Sequence, residues 1–107
     1  MGRFVLTEKA GKFHFNLQAG NYEPILSSET YESKAAALNG IESVRKNSAR
    51  DGAFETKEAK NGQYYFVLKA TNGQVVGQSE QYTTEPACKN GIESVKKNAP
   101  DAEVVEA

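Results

Sequence analysis

The chain has 107 residues, 38% of them hydrophobic, with 13 basic against 14 acidic side chains and a net charge near −1. That profile suits one globular domain and excludes a disordered or fibrous chain. Acids and bases are interspersed, so the positive excess by which duplex-binding proteins neutralise phosphates is missing.

The chain opens Met1-Gly2-Arg3-Phe4-Val5-Leu6-Thr7-Glu8, reaching a glutamate too soon for the apolar stretch of a signal peptide. No segment offers the ~20 apolar residues of a membrane-crossing helix. Leu6 stands where a myristoylation motif needs Ser or Thr. Cys88 is the single cysteine and has no internal disulfide partner. A cytoplasmic protein without a membrane contact is expected.

In chain order, residues 4–8 form a strand, linked through Ala10-Gly11 to a second at 12–19. There Phe13, Phe15, Leu17 and Ala19 alternate with Lys12, His14, Asn16 and Gln18, the period of a strand with one buried face. Gly20-Asn21 turns into a short strand around Pro24-Ile25-Leu26. A helix follows, with Ser33 as N-cap and Ala37, Ile41, Val44 and Ser48 on one stripe. A strand at 53–58 comes next, then Asn61-Gly62, a strand at 64–70, Asn72-Gly73 and a strand at 74–78. Asn-Gly is the signal of a two-residue hairpin loop. The second helix has Thr84 as N-cap, Pro86 in its first turn, a stripe of Cys88, Ile92, Val95 and Ala99, and a stop at Pro100. A last strand covers 103–105.

These elements repeat. Shifted by 51 positions, residues 11–55 lie on 62–106 without a gap, and 18 of the 45 positions are identical. The densest block is Asn39-Gly40-Ile41-Glu42-Ser43-Val44-Arg45-Lys46-Asn47 against Asn90-Gly91-Ile92-Glu93-Ser94-Val95-Lys96-Lys97-Asn98. Gly40 and Gly91 each cost a helix interior about 1 kcal/mol relative to alanine, which predicts a close approach of the helix backbone to the sheet. One unit of some 50 residues is near the lower size limit for folding alone. The expected fold is therefore α+β: tandem β3-α-β repeats, about 1–55 and 53–107, sharing the strand 53–58 in a single domain over 1–107. They form one antiparallel sheet with two helices on one face, a pseudo-twofold axis, and carboxyl-terminal strands exchanged between repeats.

With these blocks, and with the aromatic strands ending in Leu-x-Ala at 17–19 and 68–70, the chain resembles the YegP-like family of small bacterial proteins of unknown function. The resemblance implies a β3-α-β unit, present as a tandem pair or as two subunits, with exchanged carboxyl-terminal strands. It brings no activity, cofactor or catalytic residue.

The residues themselves point to little chemistry. His14 has Tyr65 as its twin and Cys88 has Ala37, so neither position requires its reactive group. No Cys/His cluster, phosphate loop or nucleophile elbow occurs, and no cofactor or metal is expected. Two carboxylate twins, Glu29 with Glu80 and Glu42 with Glu93, would support acid–base work only if they converged near the axis. The open sheet face, with His14, Asn16, Gln18, Tyr65, Val67 and Lys69, is the candidate surface for a protein contact or for stacking of single-stranded nucleic acid. The leading expectation is a non-enzymatic binding or accessory module acting through protein contacts. Weak single-stranded nucleic-acid binding and an enzyme using the twin acids are the alternatives. Duplex nucleic acid is not an expected partner, and the chain is expected as a monomer or a strand-exchanged dimer.

Overall fold

The computed structural model describes residues 2–50 and 52–107. Strands β1 (Arg3–Lys9), β2 (Lys12–Gln18) and β3 (Pro24–Ser27) precede helix α1 (Lys34–Ser48). Strands β4 (Phe54–Glu58), β5 (Tyr64–Lys69) and β6 (Val75–Gln78) precede helix α2 (Glu85–Asn98), and β7 (Glu103–Glu106) closes the chain. The strands form one sheet in the order β4-β5-β6-β3-β2-β1-β7. Exchanging β1 for β4, β2 for β5 and β3 for β6 leaves the first six in place, so a pseudo-twofold axis runs between β3 and β6. Their paired residues there are Ser27 and Gln78, themselves twins 51 positions apart.

Both helices cover one face. Alternation along the strands sends Phe4, Leu6, Phe15, Leu17, Leu26, Phe66 and Leu68 inward. These meet Ala37, Ile41 and Val44 of α1 and Cys88 and Val95 of α2 in a single core. Each helix also packs on strands of the other unit, α1 on β5 and β6 and α2 on β3. The two half-size units thus pool their apolar faces in one core. Ser33 and Thr84 accept from the N–H groups of Ala36 and Ala87, satisfying orphan donors at the helix starts.

The exchange of post-helix strands occurs as expected, but the sheet is mixed, not antiparallel throughout: β7 runs parallel to β1. Asn98 at the end of α2 packs so closely on Gly2 that a Cβ there would lie 2.8 Å from the Asn98 Cβ. The chain therefore enters β7 beside the start of β1 and must run with it. Side-chain alternation carries no information about strand direction, so the sequence alone does not reveal this.

The turns differ too. Ala59 N–H donates to the Gln63 carbonyl and Ala70 N–H to that of Gln74, so both Asn-Gly loops have three residues, not two. Only the glycine is left-handed in each, at φ 84°. Asn61 and Asn72 instead accept from the N–H two residues on. Ala10-Gly11 is the two-residue loop, with both residues at positive φ. The extra residue in the second unit's first hairpin makes the twin of Phe4 Phe54: Phe4 pairs with Leu17, and Phe54 with Leu68. At the other end, α2 passes through a 3₁₀ turn at Ala99–Asp101 that contains Pro100.

Candidate binding site at the pseudo-dyad

The duplicated helix block is explained by packing. A Cβ on Gly40 would lie 2.8 Å from Cζ of Tyr31 and 3.0 Å from Cε2 of Phe15; on Gly91 it would meet Tyr82 and Phe66 at the same two distances. Tyr31 stacks on Phe15 with ring centroids 6.0 Å apart, and Tyr82 on Phe66 at 6.4 Å. The close approach predicted at the glycines is thus to a tyrosine lying between helix and sheet. Asn47 donates to the carbonyl and hydroxyl of Ser43, and Asn98 to those of Ser94. Glu42 pairs with Arg45 and Glu93 with Lys96 on solvent-facing helix surfaces.

Burial pushes the Tyr31 and Tyr82 hydroxyls above their usual 10.0, with Glu29 adding to Tyr31, and Glu80 and Cys88 to Tyr82. The folded state therefore holds these protons more tightly than the unfolded chain. The stability these two groups contribute is fully present below about pH 10 and is lost as pH rises through the tyrosine range. Denaturant midpoints at roughly pH 8 and pH 10.5 should show this loss in the parent, and a smaller one in Tyr31→Phe/Tyr82→Phe.

The other reactive groups are committed. Cys88 is fully buried, and burial raises its thiol pKa, reinforced by Glu85 and opposed by Thr56. A thiol held protonated is a poor nucleophile. Ser28 Oγ accepts from Phe15 N–H and donates to the Glu29 carbonyl; Ser79 does the same with Phe66 and Glu80. Both hydroxyls are spent on backbone groups. Among the described residues no group of three or more His, Cys, Asp or Glu is placed to hold a metal ion.

At the axis the structure opens a cleft of about 420 Å³. Its walls are five twin pairs: Pro24 with Val75, Leu26 with Gly77, Ser27 with Gln78, Ser28 with Ser79, and Glu29 with Glu80. Of the twin acids, the fold brings Glu29 and Glu80 to this cleft and leaves Glu42 and Glu93 on the helix surfaces. Both cleft carboxylates are exposed, as are Pro24, Val75, Ser27 and Gln78. Its volume lies in the range of ligand pockets. The signal in the sequence was the Ser-Glu twin at 28–29 and 79–80.

The open sheet face carries His14, Asn16, Gln18, Tyr65, Val67 and Lys69, pointing away from the helices. It is less available than the alternation suggests. Val67 is only 3% exposed. Lys69 Nζ lies 2.9 Å from Glu55, which Lys57 also contacts at 3.3 Å; both lysines hold the Glu55 carboxyl below its usual range. Gln18 accepts from Arg3 Nε at 3.0 Å. The Asn16 side-chain oxygen is buried without a partner.

Sequence reasoning missed Tyr22. It sits at φ 67°, where its twin is Gly73, and 65% of it is exposed. The Arg3 guanidinium lies 4.4 Å from its ring centroid. A left-handed non-glycine residue costs about 1–2 kcal/mol, against about 0.5–1 kcal/mol for an exposed cation–π contact. Tyr22→Gly should therefore raise stability by about 0.5–1 kcal/mol in urea unfolding. The twin comparison in the sequence could have flagged the position.

A chain of this kind is a tandem-repeat α+β protein with a cleft built across its internal symmetry. It belongs to the DUF1508 family, a domain of unknown function, whose pattern matches twice, at residues 8–55 and 59–106. The UPF0339 protein PA0329 of Pseudomonas aeruginosa is 62% identical over 94 residues, covering 88% of this chain and 86% of that protein. The UPF0339 protein YegP of Yersinia pestis is 56% identical over 90 residues, covering 84% and 80%. The solution structure of yegP from E. coli, a protein of unknown function, superposes with a TM-score of 0.92 at 45% identity, covering 98% of this chain and 91% of that one. A solution structure from Shewanella oneidensis has the same TM-score at 42% identity, covering 98% and 90%. No enzyme is named among these proteins.

Proposed function

We propose that this protein is a non-enzymatic accessory module that grips a partner protein at the pseudo-dyad cleft. One observation carries the reading: the cleft is open and lined by twin residues, while the nucleophiles around it are locked in backbone hydrogen bonds or the core. Exposed Glu29 and Glu80 suit basic side chains on the partner, and exposed Pro24 and Val75 in the same cleft supply apolar contact. The described residues include no helix long and apolar enough to cross a membrane.

The test is affinity capture from native lysate with the parent chain and with Glu29→Gln/Glu80→Gln. Proteins enriched by the parent and lost by the variant support the reading. Equal capture by both overturns the cleft as the grip.

A further inference from the structure

The pseudo-twofold axis maps β1 onto β4, yet among the described residues only β1 carries a further strand. β7 sets Val104 beside Phe4 and Glu106 beside Leu6, and Ala107 N–H donates to the Leu6 carbonyl at 2.9 Å. Three side-chain contacts fasten this corner. Lys34 Nζ lies 2.7 Å from a Glu106 carboxylate oxygen. Arg45 donates from Nη2 to the Ala102 carbonyl, and its guanidinium lies 5.4 Å from the Phe4 ring centroid. Phe4 is fully buried.

β4 carries most of the same equipment, and no strand among the described residues pairs with its outer edge. Lys69 N–H bonds the Ala53 carbonyl and Ala59 N–H bonds that of Gln63, so odd-numbered residues of β4 bond β5. Phe54, Thr56 and Glu58 then turn their backbone groups to the open edge, since pairing alternates along an antiparallel ladder. Phe54, the twin of Phe4, is only partly buried. Lys96, the twin of Arg45, holds its ammonium 5.8 Å from the Phe54 ring. One feature is reversed: Glu85 stands where the first unit has Lys34.

We propose that the outer edge of β4 receives, parallel to itself, an extended segment of a partner protein with an aliphatic side chain beside Phe54 and a Lys or Arg two residues later facing Glu85. Strand addition of this kind draws affinity from main-chain bonds and selectivity from alternate side chains. The occupant is a different protein, not a second copy's β7, because β7 would set Glu106 against Glu85. That reversal guards the edge against self-association. This surface is separate from the pseudo-dyad cleft and stands without it.

The experiment is an amide NMR titration of the ¹⁵N-labelled full chain with the capped octapeptide Ser-Thr-Val-Thr-Lys-Thr-Ser-Gly and with its Lys→Glu analogue. Shifts should centre on Phe54, Thr56, Glu58 and the first turn of α2, and the lysine peptide should bind about fivefold more tightly. Glu85→Lys should reverse that preference. Thr56→Pro removes an outward N–H without touching the β5 ladder and should weaken both peptides. Glu29→Gln/Glu80→Gln should leave both titrations unchanged, which separates this edge from the cleft. Absence of β4 shifts at millimolar peptide, shifts centred elsewhere, or an unchanged preference in Glu85→Lys overturns the proposal.

Discussion

Gly40→Leu should destabilise the protein by about 3 kcal/mol, the upper end of ordinary overpacking costs, measured as a lowered urea midpoint with an unchanged slope. The sign is informative because helix propensity argues the other way: at an exposed helix site, replacing glycine by alanine gains about 1 kcal/mol. Here even a Cβ would lie 2.8 Å from Cζ of Tyr31 and closer still to its hydroxyl. The ring cannot simply swing aside. Tyr31 is held by two backbone hydrogen bonds to Phe13, at 2.8 and 2.6 Å, and its ring rests on Phe15. Gly40→Ala should therefore lose about 1 kcal/mol, overpacking outweighing propensity. In a Tyr31→Phe background the nearest obstruction is gone, and that loss should shrink by about 0.5–1 kcal/mol, a coupling read from the double-mutant cycle. Gly91 and Tyr82 should behave alike. Gly40→Leu without loss of stability would remove the close contact as the reason for these glycines.

The second large effect lies on the axis itself. Leu26 and Gly77 are twins, and the axis brings them together, so two large side chains cannot both fit. A Cβ on Gly77 would lie 2.8 Å from Cγ of Leu26, which is 1% exposed. Gly77→Leu alone should cost about 2–3 kcal/mol through overpacking. Leu26→Gly alone should cost about 3–5 kcal/mol, from the lost side chain, the cavity it leaves and the backbone freedom it adds. The double variant, Leu26→Gly/Gly77→Leu, moves the same volume to the other side of the axis and should fall within about 1 kcal/mol of the parent. Calorimetry of the four proteins decides it. A double variant as unstable as the sum of the singles would show that the site is not equivalent under the twofold.

The same pair shows what a repeat reveals and what it hides. Aligning position 26 with 77 marks both as one structural place, but not that the two places touch. Contact across an axis depends on which strand edges meet, and no local pattern encodes that. Glu29 and Glu80 are a similar case. Their matching positions were legible, while their arrival at one cleft followed from the β3–β6 seam. The open face was legible as a set of alternating residues, yet the burial of Val67 and the pairing of Lys69 with Glu55 depend on cross-strand neighbours.

Period-2 and period-3.6 spacing, cap residues and the internal copy settled the elements, their inward faces and the single shared core, because these follow from local sterics and from which atoms water rejects. Strand order, the parallel docking of β7, the three-residue loops, the strain at Tyr22 and the unfilled edge of β4 were decided only in three dimensions. Each depends on residues far apart in the chain competing for the same space or the same hydrogen-bonding groups, and that competition is resolved by packing, not by local propensity.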